Sequence, residues 1–244
     1  MYSGRCPPTG SPDLSFIMSG IADLAGSAYH GGMNSYRYLI AVDPSLTCTG
    51  WALFSISSGE VTAVGKIKGL RPPLPLATRL ERIQRHIGDL MARLALDSRD
   101  ILVCESPTTI RDPHNALKVE QVRGLFEALA RAQGVSVPGR VNPRSVQYEV
   151  MGLRGKQVCR AEVKSAALKT AEYLYASNLA QLGLLESGTD LKKHQDIVDA
   201  VLIGRLALMR IQAAQNGGMT LESMFDVQTS QRRGSWRVRS CGLT

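Results

Sequence analysis

The chain has 244 residues, 44% hydrophobic and 20% charged, with a net charge of +8 at neutral pH. That length suits one large domain or one domain with extensions, and the composition excludes a disordered chain. No run approaches the 18 apolar residues of a membrane-spanning helix, and the basic balance points to an acidic partner, with nucleic acid the leading candidate.

Cys6, Cys48, Cys104, Cys159 and Cys241 are odd in number and scattered. With no C-x-x-C pair they argue against a disulfide framework or a structural zinc. They fit a reducing compartment. Residues 1–35, rich in Gly, Ser and Pro, are expected to be a flexible extension. Residues 16–29 are weakly apolar, but Asp23 interrupts them and no basic stretch directly precedes them, so a signal peptide is not expected.

Two aliphatic runs follow, Tyr38 to Val42 and Trp51 to Ile56. The turn-forming residues Pro44, Ser45, Thr47, Thr49 and Gly50 join them, which predicts a hairpin. Asp43 stands at the tip of the first run, where burial disfavours a carboxylate that has no partner. Residues 60–68 alternate as a third strand. Beyond a Pro-rich linker, Leu76, Leu80, Ile83, Ile87, Leu90 and Leu94 recur at helical spacing, with Arg79, Arg82, Arg85 and Arg93 read as a solvated face.

Ile101-Leu-Val-Cys-Glu105 is a short apolar run ending in an acid, as expected of a strand covered on both faces. A helix is predicted from about Asn115 to Gln133, with Leu117, Val122, Leu125, Phe126 and Leu129 as core candidates, and a strand from Val135 to Val141. Positive charge then concentrates in Arg140, Arg144, Arg154, Lys156, Arg160, Lys164 and Lys169, partly on the flexible loop Gly152-Leu-Arg-Gly-Lys-Gln157. Such a stretch either neutralises phosphates without reading bases or is a solvated charge run.

The last long element begins at His194 and is nearly uncharged from Ile197 to Met209. Asp196 and Asp199, three apart, share one helix face with Cβ atoms about 5–6 Å apart. An acid in the first turn favours the helix dipole, but Asp199 sits further in, within the apolar stretch. If Asp43, Glu105, Asp196 and Asp199 converge, two such charges about 5 Å apart repel by about 3 kcal/mol at an effective dielectric near 20. They would protonate or separate unless a cation held them. Oxygen-only ligands suit Mg²⁺ or Mn²⁺, and two such ions bridge a phosphodiester, activate water and stabilise the leaving oxygen.

At these residues the chain resembles the RuvC family of Holliday-junction resolvases, within the ribonuclease H-like superfamily. The carrying motifs are Asp43-Pro-Ser-Leu-Thr-Cys-Thr-Gly50, Val103-Cys-Glu105, the helix start Leu117-Lys-Val-Glu-Gln-Val-Arg-Gly124, and Asp196-Ile-Val-Asp-Ala200. They appear in family order over about residues 37–210. The resemblance implies an α/β fold, a mixed five-stranded sheet flanked by helices, in a nuclease domain of residues 36–216. It implies Asp43, Glu105, Asp196 and Asp199 as the catalytic, metal-binding set, with Mg²⁺ (Mn²⁺ substituting) as cofactor at two ions per site. It further implies a homodimer that nicks branched DNA in pairs across a four-way junction. Arg144, Arg154, Lys156, Arg160 and Lys164 would contact DNA.

Three departures stand out. Ser45 replaces a common Gly, the loop after Glu105 lacks an aromatic, and the segment 150–160 is longer. His194 is a candidate auxiliary to the acids, although two helical residues turn it about 200° from Asp196, which favours a helix-start or surface role. The basic segment 217–244, with Trp236, either folds onto DNA or is a solubilising tail. Two rival classes fare worse. A non-catalytic junction-binding protein would lack an acid. An actin-like kinase would need a second acidic phosphate loop and a Gly-rich adenosine segment, neither of which is found. Within the nucleases, enzymes for flaps, forks or RNA–DNA hybrids remain the closest alternative.

Overall fold

The computed structural model describes residues 36–107, 112–154, 159–185 and 191–225, and the backbone of residues 14–18. Its centre is the predicted hairpin. Strands β2 (Tyr38–Asp43) and β3 (Cys48–Ser55) pair antiparallel, and β3 pairs antiparallel with β4 (Val61–Lys68). On the other side β2 pairs parallel with β5 (Asp100–Glu105), which pairs parallel with the two-residue β6 (Arg140–Val141). These five strands form the expected mixed sheet. A sixth, β1 (Leu14–Met18), adds antiparallel to the edge of β4, so the full order is β1-β4-β3-β2-β5-β6. Leu14–Met18 thus corrects the expected flexible extension: five residues that supply backbone donors and acceptors to an open sheet edge form a strand without any hydrophobic period of their own.

Alternation along the strands sends successive side chains to opposite faces. Ile40, Val42, Trp51, Leu53, Ile67 and Leu102 face α1 (Leu76–Arg93) and α2 (Pro113–Ala132). Leu39, Ala41, Ala52, Phe54, Val64 and Val103 face α4 (Arg160–Gln181) and α5 (Gln195–Gly217). Between β6 and α4 lie the one-turn α3 (Pro143–Ser145) and a π-turn over Val146–Val150. Helix α5 lies directly on β2 and β3, which is why it is apolar nearly all round. Its approach depends on Gly204, where a Cβ would sit 2.1 Å from the Phe54 ring.

Several expectations change. Helix α4 buries only Ala167, Ala171, Tyr175 and Leu179, a narrow four-residue repeat that small alanines hide in the sequence. Leu117 is exposed, whereas Val122 and Phe126 are core. Arg79 does not belong to a solvated face. It is buried and donates to the Leu70 carbonyl at 2.6 Å. Of the strand expected from Val135 to Val141, only Arg140–Val141 forms one, with a single bridge at Ser136. The domain also runs past residue 216. Gly218 ends α5 in the left-handed region (φ 60°), and the chain returns to bury Phe225 against Gly139 and the Arg210 guanidinium. Residues 226–244, with Trp236, lie outside the described residues.

Candidate active site

Strand register assembles the site. Asp43 is opposite Gly50, and Gly50 is opposite Lys66. Val42 is level with Cys104 on the parallel neighbour, which brings Glu105 level with Asp43. A row thus crosses four strands in the order Glu105, Asp43, Gly50, Lys66, on the face that α5 covers. The middle of the row carries no side chain. A Cβ on Gly50 would lie 1.9 Å from the Asp196 carbonyl oxygen, so this glycine admits the first turn of α5, with Asp196 and Asp199, to the strand ends.

The turn before Gly50 is closed by hydroxyls. Thr49, fully buried, donates through Oγ1 to the Ser45 carbonyl (2.8 Å) and accepts from the Ser45 amide (2.9 Å). Ser45 Oγ in turn accepts from the Thr47 and Cys48 amides at 3.3 and 3.4 Å. Ser45 therefore braces the loop from within where a glycine would leave it open.

The electrostatics are those of crowded acids. Burial, then the charges of Glu105, Asp199 and Asp196, hold Asp43 well above the usual carboxylate range. Glu105 shares a side-chain hydrogen bond with Asp43. Burial, then Asp199, pushes it up to about 7, while Arg123 and the Asp43 hydrogen bond oppose the rise. Asp199 is raised by burial, with Asp196 adding to the rise. The Gln195 amide, donating at 2.8 Å, and the charges of Lys164 and Arg160 pull the other way. Asp196 faces Lys66, its Oδ2 3.3 Å from Nζ, and hydrogen-bonds the Cys48 thiol, which burial pushes up to about 11. A cleft of about 60 Å³ opens beside Glu105 and Asp199, walled by Val146, Met151, Val163, Ala167, Leu202 and Ile203. That apolar wall accounts for the desolvation on this flank.

Glu105 is also held from behind. Buried Arg123 donates through Nε to the Glu105 carbonyl at 2.5 Å and pairs with Glu120. Glu120 and Glu127 both pair with Arg140. Arg140 is therefore neutralised by α2 and does not belong to the free basic stretch, a pairing across the fold that local sequence cannot show.

Arg144 and Arg154 are exposed, Arg154 resting over the Tyr148 ring. Arg160 and Lys164 are exposed on the first turns of α4 and lie near enough to Asp199 to lower it. Lys156 lies outside the described residues. His194 ends a 3-10 turn (Leu191–His194) and occupies the N-cap position of α5. Residues missed in the sequence are Gly50, Lys66 and Arg123. Lys66 left a faint signal, as a lysine within an alternating strand on the face opposite Ile67.

Among the described residues no three His, Cys, Asp or Glu side chains are gathered closely enough around one point to cage an ion. Asp196 is turned to Lys66 and Asp199 to Gln195. The donor chemistry nonetheless fits a hard dication. Four carboxylates converge, and three of them are raised by burial and repulsion.

No family model matches the chain. Among curated proteins it is similar to crossover junction endodeoxyribonuclease RuvC of Azorhizobium caulinodans, 30% identical over 120 residues, covering 49% of this chain and 69% of the relative. The RuvC of Erythrobacter litoralis is 29% identical over 119 residues, covering 48% and 70%. That of Chlorobium phaeovibrioides is 26% identical over 185 residues, covering 75% and 86%. Among solved structures, the Thermus thermophilus RuvC in complex with Holliday junction substrate superposes with a TM-score of 0.52 at 17% identity, over 73% of this chain and 96% of that one. A second T. thermophilus RuvC structure gives 0.51 at 19%, over 73% and 97%.

Proposed function

The chain belongs to the RuvC family of crossover junction endodeoxyribonucleases, and from that premise we propose that it resolves four-way DNA junctions by metal-dependent phosphodiester hydrolysis. The observation that carries this is the acid row. Asp43 and Glu105 at neighbouring strand ends, and Asp199 on the helix docked across Gly50, are raised by burial and by neighbouring acids, and Asp196 stands beside them on the same helix turn.

Asp43, Glu105, Asp196 and Asp199 are the residues that would hold Mg²⁺, or Mn²⁺ in its place, at two ions per site. Bound there, the ions supply charge neutralisation for the scissile phosphate, activation of water and stabilisation of the leaving 3′ oxygen. The chain's own groups do the rest. Arg123 fixes the end of β5 and hence Glu105. Gln195 orients Asp199, and the apolar wall of the cleft excludes bulk water from one flank. His194 stands at the N-cap position of α5. Arg144, Arg154, Lys156, Arg160 and Lys164 hold the DNA backbone, and Arg160 and Lys164 do so nearest the acids. A homodimer places two such sites on one junction for paired nicks. The reducing interior of a bacterial or phage-infected cell suits the free cysteines.

One assay tests this. The protein is incubated with a mobile four-way junction, linear duplex, a fork or flap and an RNA–DNA hybrid, with Mg²⁺ or EDTA, beside Asp43→Asn. Symmetric junction nicks that need the metal and vanish in the variant are expected. Cleavage persisting in EDTA removes the metal mechanism, and preference for flaps or hybrids removes the junction substrate.

A further inference from the structure

Strand β4 carries a lysine on its covered face. Lys66 follows Val64 on the side that α5 packs against and is only 8% exposed. Burying an ammonium is unfavourable unless it is fully paired, and an apolar residue would fill the place without that cost. The partners of Lys66 are specific. Nζ donates to the Lys193 carbonyl at 2.9 Å and lies 3.3 Å from Asp196 Oδ2. Both stand at the entry to α5, and the register puts Lys66 in the same row as Gly50 and Asp43.

We infer that Lys66 is a positioning residue that competes with a divalent cation for Asp196, so that the site takes up cations less tightly than its four acids alone would. This rests on the metal reading of the acid row. A fixed positive charge in contact with one acid repels an incoming dication, and the contact must loosen before both oxygens of Asp196 become available. The uncharged loop contacts of Ser45 and Thr49 hold the other side of the turn without opposing a cation.

The test is Mn²⁺ titration of the full chain, followed by calorimetry and by the electron paramagnetic resonance of free Mn²⁺. Wild type is compared with Lys66→Gln, Lys66→Arg and Asp43→Asn, each checked for folding by its melting curve. Glutamine removes the charge and keeps a side-chain N–H donor, one bond shorter, on the side of the Lys193 carbonyl. Lys66→Gln should bind Mn²⁺ about five- to ten-fold more tightly, and Lys66→Arg should match wild type. A merely structural lysine would lower the melting temperature and leave affinity unchanged or weaker, and either result in a folded Lys66→Gln protein overturns the inference. Lys66→Met, which fills the same space, carries the same expectation if the glutamine variant does not fold. In the wild type, the Lys66 ammonium resonance should shift on adding Mg²⁺, and a resonance unmoved at saturation also overturns it. Wild type that binds no Mn²⁺ removes the metal reading and this inference together. Wild-type binding with no gain in Lys66→Gln removes only this inference.

Discussion

Strand β5 begins and ends with a carboxylate, and the two ends have opposite fates. Asp100, with no exposed surface, accepts from Arg37 at 3.2 and 2.7 Å, from the Tyr38 amide at 3.2 Å and from the Asp97 amide at 2.9 Å. Glu105, five residues along the same strand, meets Asp43 and Asp199 and is pushed up to about 7. Asp100 is fully buried and Glu105 partly so. The difference lies in the company: donors at one end, further acids at the other. A buried acid surrounded by donors holds the fold together, whereas one surrounded by acids is held in place by the fold against its own repulsion.

The largest effect should come from the crowded end. Asp43→Asn or Glu105→Gln should reduce junction cleavage by about 10²–10³-fold or more, with a melting temperature that stays level or rises, because the change removes repulsion. A drop of several degrees in either would place the acid in the Asp100 class. At the satisfied end, Asp100→Ala leaves buried donors unmatched and should cost about 2–3 kcal/mol. Cleavage per folded molecule should stay unchanged, as separate unfolding and activity measurements would reveal.

Gly50→Ala probes the join between them. A Cβ there forces α5 off the sheet, so about 1–3 kcal/mol of stability should be lost, together with cleavage. Lost stability with full activity would mean that the helix start need not touch the row.

The two ends should also titrate oppositely. Glu105 and Asp43 are raised in the folded protein, so the stability they confer without metal is fully present below the unfolded carboxylate range. It is lost as pH climbs above that range, in the case of Glu105 through about 7. At the far end Arg99 holds Asp97 down to about 2, so its contribution is present above the ordinary range and lost as pH falls through about 2. Urea unfolding in EDTA at pH 5 and pH 8 should show higher stability at pH 5, and Glu105→Gln should flatten the difference. The smallest effect concerns salt. Arg160→Ala or Lys164→Ala should each lower the salt slope of junction binding by about 1, whereas Arg99→Ala, beside Asp97, should leave it unchanged.

Much of this was legible in the residues themselves. The hairpin, strands β4 and β5, and helices α1, α2 and α5 follow from alternation and helical spacing, because a strand or helix buried on one face must repeat its apolar residues at that period. The four acids were legible because charges at the tips of apolar runs are anomalous wherever they occur. Helix α4 was not, since alanines mark a close-packed stripe without raising hydrophobicity. Nor was β1, whose place depends on an open edge supplied by β4.

By itself the sequence determined which charges stand at the ends of apolar runs, since such a carboxylate can be recognised from its neighbours in the chain. Tertiary structure alone decided what each charge meets. Lys66 reaches a carbonyl 127 residues away, Arg140 is taken out of the basic stretch by two glutamates of α2, and Gly50 matters only because a helix arrives against it. Electrostatic partnership depends on distance in space, and chain order constrains that distance only after the sheet has set its register.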